Sequence, residues 1–580
     1  MWSVTDGGGG ELTGEVVTAA LALVVALLPA VVEARRLSVF GASVLAAYGT
    51  GLVMSITFGS IRSDVLHPAM IYAAMPIVAL VVIRIWRRRW GPGALMAILA
   101  LVFMRLWWLG FMAWWGSALS SAESVFWQVV PGLNQSAVLM GSLGVLFTGA
   151  AVMAASRRAA VAWCVVAGLG LSASWLGGSR GTLIAVAVGL TVILFLTRGL
   201  GIVRSIATVI LAALIVILLT TVAGIDQPFG SKRDLGFTST ARLGHSAAAT
   251  GMFIDRPVVG FGPGSYRLAA VEYSTGAVHP TAHAHNEYLE LFAEGGIVFG
   301  VSALLLIGGV AVAGFRLVRA GVDREAGRSD RHRSALLAGA IGAFVVLALH
   351  AAIDFDFVFA VLPILLAVVA GIVHGSRRNP VAASRRTTTT LVPIALVPIA
   401  LVMVVVAAAL LVVVHGPEGW QPPWNVHAQR VRVEEALTTG DTVAAGQIVD
   451  GALRWNPGDT RLLVLAAITR APAGDARSVV DVTRGLHASF PDRNRAALGA
   501  LEIGDSRAAQ EIAVRAMADY PSFPGWNMTG PAGDSWLILY RAARLADGCD
   551  AAVAVATAAE RDHIIGTEYD WAALSASCDE

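Results

Sequence analysis

Long apolar runs, cut apart by short arginine clusters, constrain this chain more than any other feature. A membrane helix needs about 20 apolar residues. Such runs fall near 14–33, 38–58, 68–86, 93–115, 136–155, 159–177, 181–197, 202–223, 296–315, 335–353, 357–374 and 391–414. With 56% hydrophobic and only 14% charged residues, the chain is too apolar for a soluble protein of this size. The expected class is therefore an all-α polytopic membrane protein with about twelve spans. The start MWSVTDGGGG lacks the basic segment of a cleavable signal, so the first run reads as a retained helix.

The arginines orient the spans. Arg35 and Arg36 follow span 1, Arg87 to Arg89 span 3, and Arg157 and Arg158 span 5. Arg198 and Arg204 flank the turn after span 7. Arg316 to Arg333 follow span 9, and Arg377 to Arg386 follow span 11. Every cluster falls after an odd-numbered span, which places those loops in the cytoplasm and both termini outside, in a plasma membrane. The outer face then holds the Trp-rich stretch 107–127, the turn GGSRG, the long loop 224–285 and everything after residue 415. The tryptophans read as an interfacial belt.

From 416 to 580 the composition changes, with 14 arginines against 22 acidic residues. Gly-Asp pairs recur at Gly440, Gly474 and Gly504, and amphipathic stretches lie between them. A period near 34 residues resembles a tetratricopeptide-like array of helical hairpins, which presents a surface for a protein partner. The expected division is 1–415 for the membrane domain and 416–580 for an extracytoplasmic helical domain. Cys549 and Cys578 would share an oxidising compartment and are expected to pair, whereas Cys164 lies in an apolar run.

Polar residues gather at the outer face. Ser179-Arg180 stands directly before an apolar helix, and the structural alternative is an arginine snorkelling at the interface. The outer loop carries Lys232, Arg233, Arg242, Arg256 and Arg267, a set suited to an anionic ligand. Gly260, Gly262 and Gly264 in GFGPG allow a tight path, but the spacing is not that of a nucleotide-binding loop. In TAHAHNEYLELFAEGG, His285 and Asn286 precede a helix on which Glu287, Glu290 and Glu294 share one face. Asn286 also suits a helix cap. The spacing of His279, His283 and His285 fits no metal motif, so no metal or other cofactor is expected.

Together these segments resemble the O-antigen ligase and polymerase superfamily. AHNEYLELFAEGGIVFG fits its signature at His285, Asn286, Leu289, Glu294 and Gly296. SRG fits at Ser179, Arg180 and Gly181. An arginine followed by RPxxGxGPGx and an aromatic residue fits at Arg242, Arg256, Pro257, Gly260, Gly262, Gly264 and Tyr266, and a later DF fits Asp354-Phe355. The resemblance covers roughly residues 20–375. Two features depart from it: Ser246 replaces a usual tryptophan, and an extra last span would put the C-terminus outside.

The resemblance implies a GT-C-type, metal-independent, inverting membrane glycosyltransferase. Its donor would be a polyprenyl-diphosphate-linked glycan in contact with membrane lipids, and its acceptor a glycan, lipid or protein hydroxyl; nucleic acid has no place in it. His285, Arg180 and Arg242 are the expected catalytic residues. Arg256, Asn286, Glu290, Glu294, Gly260 and Gly262 are expected to bind substrate, with Glu290 or Glu294 tuning His285. His279 and His283 become bystanders. A multi-span transporter and a non-catalytic scaffold working through the tail are the competing readings.

Overall fold

The computed structural model describes residues 38–59, 66–88, 90–119, 129–130, 133–154, 156–197, 202–222, 235–273, 283–322, 328–357, 359–376, 426–457, 459–485, 490–518 and 531–561, with a few isolated positions elsewhere. All regular structure among these residues is helical, as expected for an all-α polytopic membrane protein. The first part comprises α1 (Val39–Phe58), α2 (Leu66–Trp86), α3 (Gly91–Leu119), α4 (Leu133–Met153), α5 (Arg157–Leu176), α6 (Arg180–Leu196), α7 (Ile202–Val222), α8 (Leu235–Asp255), α9 (Tyr266–Tyr273), α10 (Glu287–Val322), α11 (Arg328–Ala351) and α12 (Val361–Gly375).

Seven of the described helices are long and apolar enough to cross a membrane. The expected spans 181–197, 335–353 and 357–374 correspond to shorter apolar helices. The 17 residues of α6 reach only about 25 Å at the helical rise, short of a hydrocarbon core of about 30 Å. The expected spans 14–33 and 391–414 lie outside the described residues, apart from helical positions at Ala26, Ala30 and Glu33.

The helix α4 forms the centre, with its apolar window buried throughout. It packs against α5, α6 and α11, while α2 pairs with α12 and α1 with α10. Gly144 of α4 and Gly170 of α5 meet so closely that a Cβ on Gly170 would lie 2.9 Å from the Gly144 Cα. Small residues permit such backbone approach, which lipid-embedded helices use in place of a hydrophobic driving force. Leu101 of α3, Phe195 of α6 and Ile217 of α7 point outward, as a lipid-facing surface requires. Arg204, read from sequence as an orienting cation, also closes α4. Its guanidinium donates to the carbonyls of Val152 (2.7 Å), Ala151 (3.1 Å) and Ala154 (3.2 Å) at the end of that helix, where carbonyls lose their regular intrahelical donors.

The tail is a run of short helices: α13 (Val426–Thr438), α14 (Thr442–Trp455), α15 (Thr460–Arg470), α16 (Arg477–Gly485), α17 (Phe490–Ile503), α18 (Ser506–Ala518), α19 (Pro531–Ala546) and α20 (Cys549–Arg561). Consecutive helices pack on one another around their own apolar core. The Gly-Asp pairs work as stop and start. Gly440, Gly474 and Gly504 have positive φ, and Asp441 and Asp505 accept from Ala444 N (2.9 Å) and Ala508 N (3.0 Å) to begin the next helix. Cys549 is disulfide-bonded; its expected partner Cys578 lies outside the described residues.

Candidate active site

The helix α10 opens with three carboxylates on one face. Spacings of three and four put Glu287, Glu290 and Glu294 one above another. All three are buried, and each takes a different piece of backbone. Glu287 accepts from Phe357 N (3.1 Å) in the loop between α11 and α12. Glu290 accepts from Ala284 N (2.8 Å) and pairs with His283 Nδ1 (3.0 Å). Glu294 accepts from Gly264 N (2.8 Å) and Tyr266 N (2.9 Å). One helix face thus positions three loops.

A break in α10 anchors the GFGPG loop. Gly296 has φ 68° and ψ −174°, outside helical space. The carbonyls of Ala293 and Glu294, freed by the break, accept from Phe261 N (3.1 Å) and Gly262 N (2.9 Å), and Ser55 Oγ also donates to Glu294 O (2.7 Å). Ile297 N donates to Pro257 O (2.7 Å). Gly260, at φ 67°, lies so close that an added Cβ would be 2.2 Å from Glu294 O.

His285 sits between these anchors and has the one positive φ (50°) among described non-glycine residues. Such a backbone is uncommon and gathers at functional sites. Its Nδ1 lies 3.1 Å from Asp354 Oδ1. Asp354 is 1% exposed and also accepts from Asn134 Nδ2 (2.5 Å) and Phe355 N (3.0 Å). Arg242 approaches its Oδ2 at 3.6 Å, an ion pair without a hydrogen bond. Burial opposes the charge on Asp354. The hydrogen bond from His285 and the positive charges of His350, His285 and Arg242 outweigh that and hold its carboxyl down at about 2. The carboxylate of Asp354 engages Nδ1 of the His285 ring, and Nε2 takes no part in that contact.

The two expected arginines lie on separate elements beside this pair. Arg242 stands on α8, partly exposed, with its Nε buried and without a hydrogen-bond partner among the described residues. Arg180 is exposed at the first position of α6, behind the cap Ser179, which accepts from Thr182 N (3.3 Å). The next residue, Gly181, packs on Ile353, where a Cβ would be 2.4 Å from Cδ1. Ile353 immediately precedes Asp354. The turn carrying Arg180 therefore abuts the loop that holds His285. Both arginines have protons to offer, and the start of α6 adds the positive end of a helix dipole.

The remaining expected site residues also make contacts within the chain. Asn286 Oδ1 caps α10 by accepting from Leu289 N (3.1 Å). Glu290, Glu294, Gly260 and Gly262 shape loops, as above. Arg256 is exposed, with its guanidinium 5.1 Å from the centre of the Phe261 ring. His283, expected to be a bystander, pairs with Glu290 and stacks on Phe355 at 4.7 Å. His279, Lys232 and Arg233 lie outside the described residues.

Several residues were missed. Asp354 stood in the DF pair but received no role. Asn134 carries no sequence signal, because a lone asparagine at a helix start reads as a cap. His245, one turn beyond Arg242 on α8, lies 5.6 Å from His285 ring to ring and accepts at its carbonyl from Tyr266 Oη (2.9 Å). His350 and Asp356 form a second buried pair at 2.9 Å, directly behind the Asp354 loop. No cluster of His, Cys, Asp and Glu among the described residues has the form of a metal site.

The family model described as O-antigen ligase matches residues 165–305, about a quarter of the chain. The matched segment contains Arg180, Arg242, Arg256 and His285 and ends before Asp354. No curated protein and no solved structure gives a significant match.

Proposed function

We propose that this chain, which carries an O-antigen ligase domain at residues 165–305, transfers a glycan from a polyprenyl-diphosphate carrier to an acceptor hydroxyl at the outer face of the plasma membrane. The domain supports glycan transfer in general. The observation that carries the finer reading is His285, held by Asp354 at 3.1 Å with Arg242 on the same carboxylate and the Arg180 turn against the same loop.

In this reading Nε2 of His285 takes the acceptor proton as the acceptor oxygen attacks the anomeric carbon. The bond from that carbon to the diphosphate oxygen breaks, and its electron pair leaves with the lipid diphosphate. A single displacement inverts the anomeric configuration. Negative charge grows on the leaving group, and Arg180 and Arg242 stabilise it more strongly in the transition state than in the bound donor. Asp354 stabilises the imidazolium that forms, as carboxylate–histidine pairs do. The guanidinium groups supply the charge that a divalent cation supplies elsewhere, so the reading needs no metal. The helices after residue 416 lie on the same outer side and recruit the acceptor or a protein partner; the disulfide at Cys549 supports an oxidising compartment.

A deletion strain tests this. It accumulates lipid-linked glycan units, and the wild-type chain clears them while His285→Ala does not. An unchanged lipid-linked pool in the deletion strain rejects the reading.

A further inference from the structure

One charge has no part in the site described above. Arg105 is the only Asp, Glu, Lys or Arg that lies more than two residues inside any of the twelve apolar runs. It stands in α3, about 21 Å from Gly91 and about 16 Å from Gly116 at the helical rise, within a stretch apolar and long enough to cross a membrane. The neighbouring helix fixes that depth a second time. Trp107 Nε1 donates to the Leu169 carbonyl of α5 (3.2 Å), and Leu169 lies about 10 Å before the end of α5 at Leu176. The two helices are two crossings apart and so run the same way. Arg105 is therefore about 3 Å further from that end, close to the midpoint of α5.

Arg105 is exposed and has no partner among the described residues. It belongs to a stripe of outward-facing side chains, Ile98, Leu101, Arg105, Trp108 and Met112, spaced three and four in turn. That alternation is the seam along which one helix packs on another, and a single polar residue within it fixes register and partner. The rotation of α3 is set by the adjoining face. There Trp107 stacks on Phe111 at 5.3 Å and Phe111 on Trp115 at 5.9 Å, all three against the core.

A charge at that depth is costly unless it is paired. An arginine near a helix end can snorkel to lipid phosphate, but Arg105 is far from both ends. A carboxylate at the same depth is the chemistry that pairs with it. This chain has none to give, because no apolar run holds an Asp or Glu beyond its last two positions, the runs outside the described residues included. A second copy lacks one equally, and two copies meeting on this stripe would set Arg105 against Arg105. We propose that the stripe from Ile98 to Met112 binds a single transmembrane helix of a different membrane protein, one with an Asp or Glu near its middle. The stripe lies outside the segment 165–305 that matches the family model, so the inference does not rest on the proposed function.

The test uses the full chain in phosphatidylcholine nanodiscs, with fluorescent leucine–alanine transmembrane peptides as probes. One peptide carries Asp at its midpoint and the other carries none. The midpoint-Asp peptide should associate with wild type about five- to thirtyfold more tightly, the range for one polar contact between membrane helices. Arg105→Leu should remove that preference. Equal association of the two peptides with wild type, or an undiminished preference with Arg105→Leu, overturns the proposal. Because Arg105→Leu replaces an unpaired charge with an apolar side chain, its Tm should equal or exceed that of wild type. A lower Tm would show that Arg105 is paired within the chain, and also overturns the proposal. In cells, benzoylphenylalanine at Met112 should cross-link to a protein whose transmembrane sequence holds a mid-span acid. Arg105→Asp alone, or arginine in place of that acid alone, should abolish the cross-link, and the two changes together should restore it. Cross-linking only to another copy of this chain, only to lipid, or to a protein without such an acid overturns it.

Discussion

Asp354 presents one carboxylate oxygen to His285 at 3.1 Å and the other to Asn134 at 2.5 Å. Because Asn134 begins α4, the most buried helix, the orientation of His285 is referred to the centre of the fold. Asp354→Asn keeps the shape but can donate toward Nδ1 and favour the wrong tautomer. It should lower the rate of glycan transfer by about 10² to 10⁴ with little change in donor KM. Steady-state kinetics on purified protein would check this, and an unchanged rate would remove Asp354 from the account.

The two arginines should separate by their surroundings. Arg180 has no carboxylate partner among the described residues, and Arg242 faces Asp354. Arg180→Ala should cost about 10² to 10³ in kcat. Arg180→Lys should recover part of that loss, because it keeps the charge without the planar fork. Arg242→Ala should lose at least as much and also weaken the hold on Asp354. Rates for all three variants, measured at saturating donor, decide the ordering.

Acid should expose the burial of Asp354. Its carboxyl is held at about 2, below its ordinary 3.8, so the folded state favours the charged form. That stabilisation is complete above the ordinary value and disappears as pH falls from about 4 to about 2. It is on the order of 2 kcal/mol. The difference in Tm between wild type and Asp354→Asn in detergent should therefore shrink over that window. A difference independent of pH would contradict the assignment.

Gly260 is tied to the break in α10. Alanine there meets the Glu294 carbonyl at 2.2 Å and must adopt φ 67°. Gly260→Ala should destabilise the fold by about 1 to 3 kcal/mol and loosen the loop between α8 and α9. Thermal unfolding, with limited proteolysis of that loop, would register it; a wild-type Tm would show that the contact yields freely.

Much of this was legible in the sequence, for physical reasons. Apolar runs of membrane length announce helices whatever their packing, and ten of the twelve expected spans coincide with described helices. Arg180, Arg242 and His285 stood out because charged groups beside long apolar runs need a reason. The partners did not stand out. Asn134 and Asp354 are 220 residues apart and meet only after α4 and α11 pack. The spacing of Glu290 and Glu294 shows a shared helix face but not the amides of Ala284, Gly264 and Tyr266 that the two carboxylates accept from. The break at Gly296 was equally silent, since the hydrophobic pattern continues through it.

The most direct measurement removes the imidazole and returns it. The φ of 50° at residue 285 suits glycine, so His285→Gly should preserve the loop while leaving room for a free base. Purified His285→Gly should bind the lipid-linked donor as wild type does and transfer glycan at a rate lower by about 10² or more. Added imidazole should restore transfer in proportion to its concentration. Wild-type transfer by His285→Gly without imidazole would contradict the account.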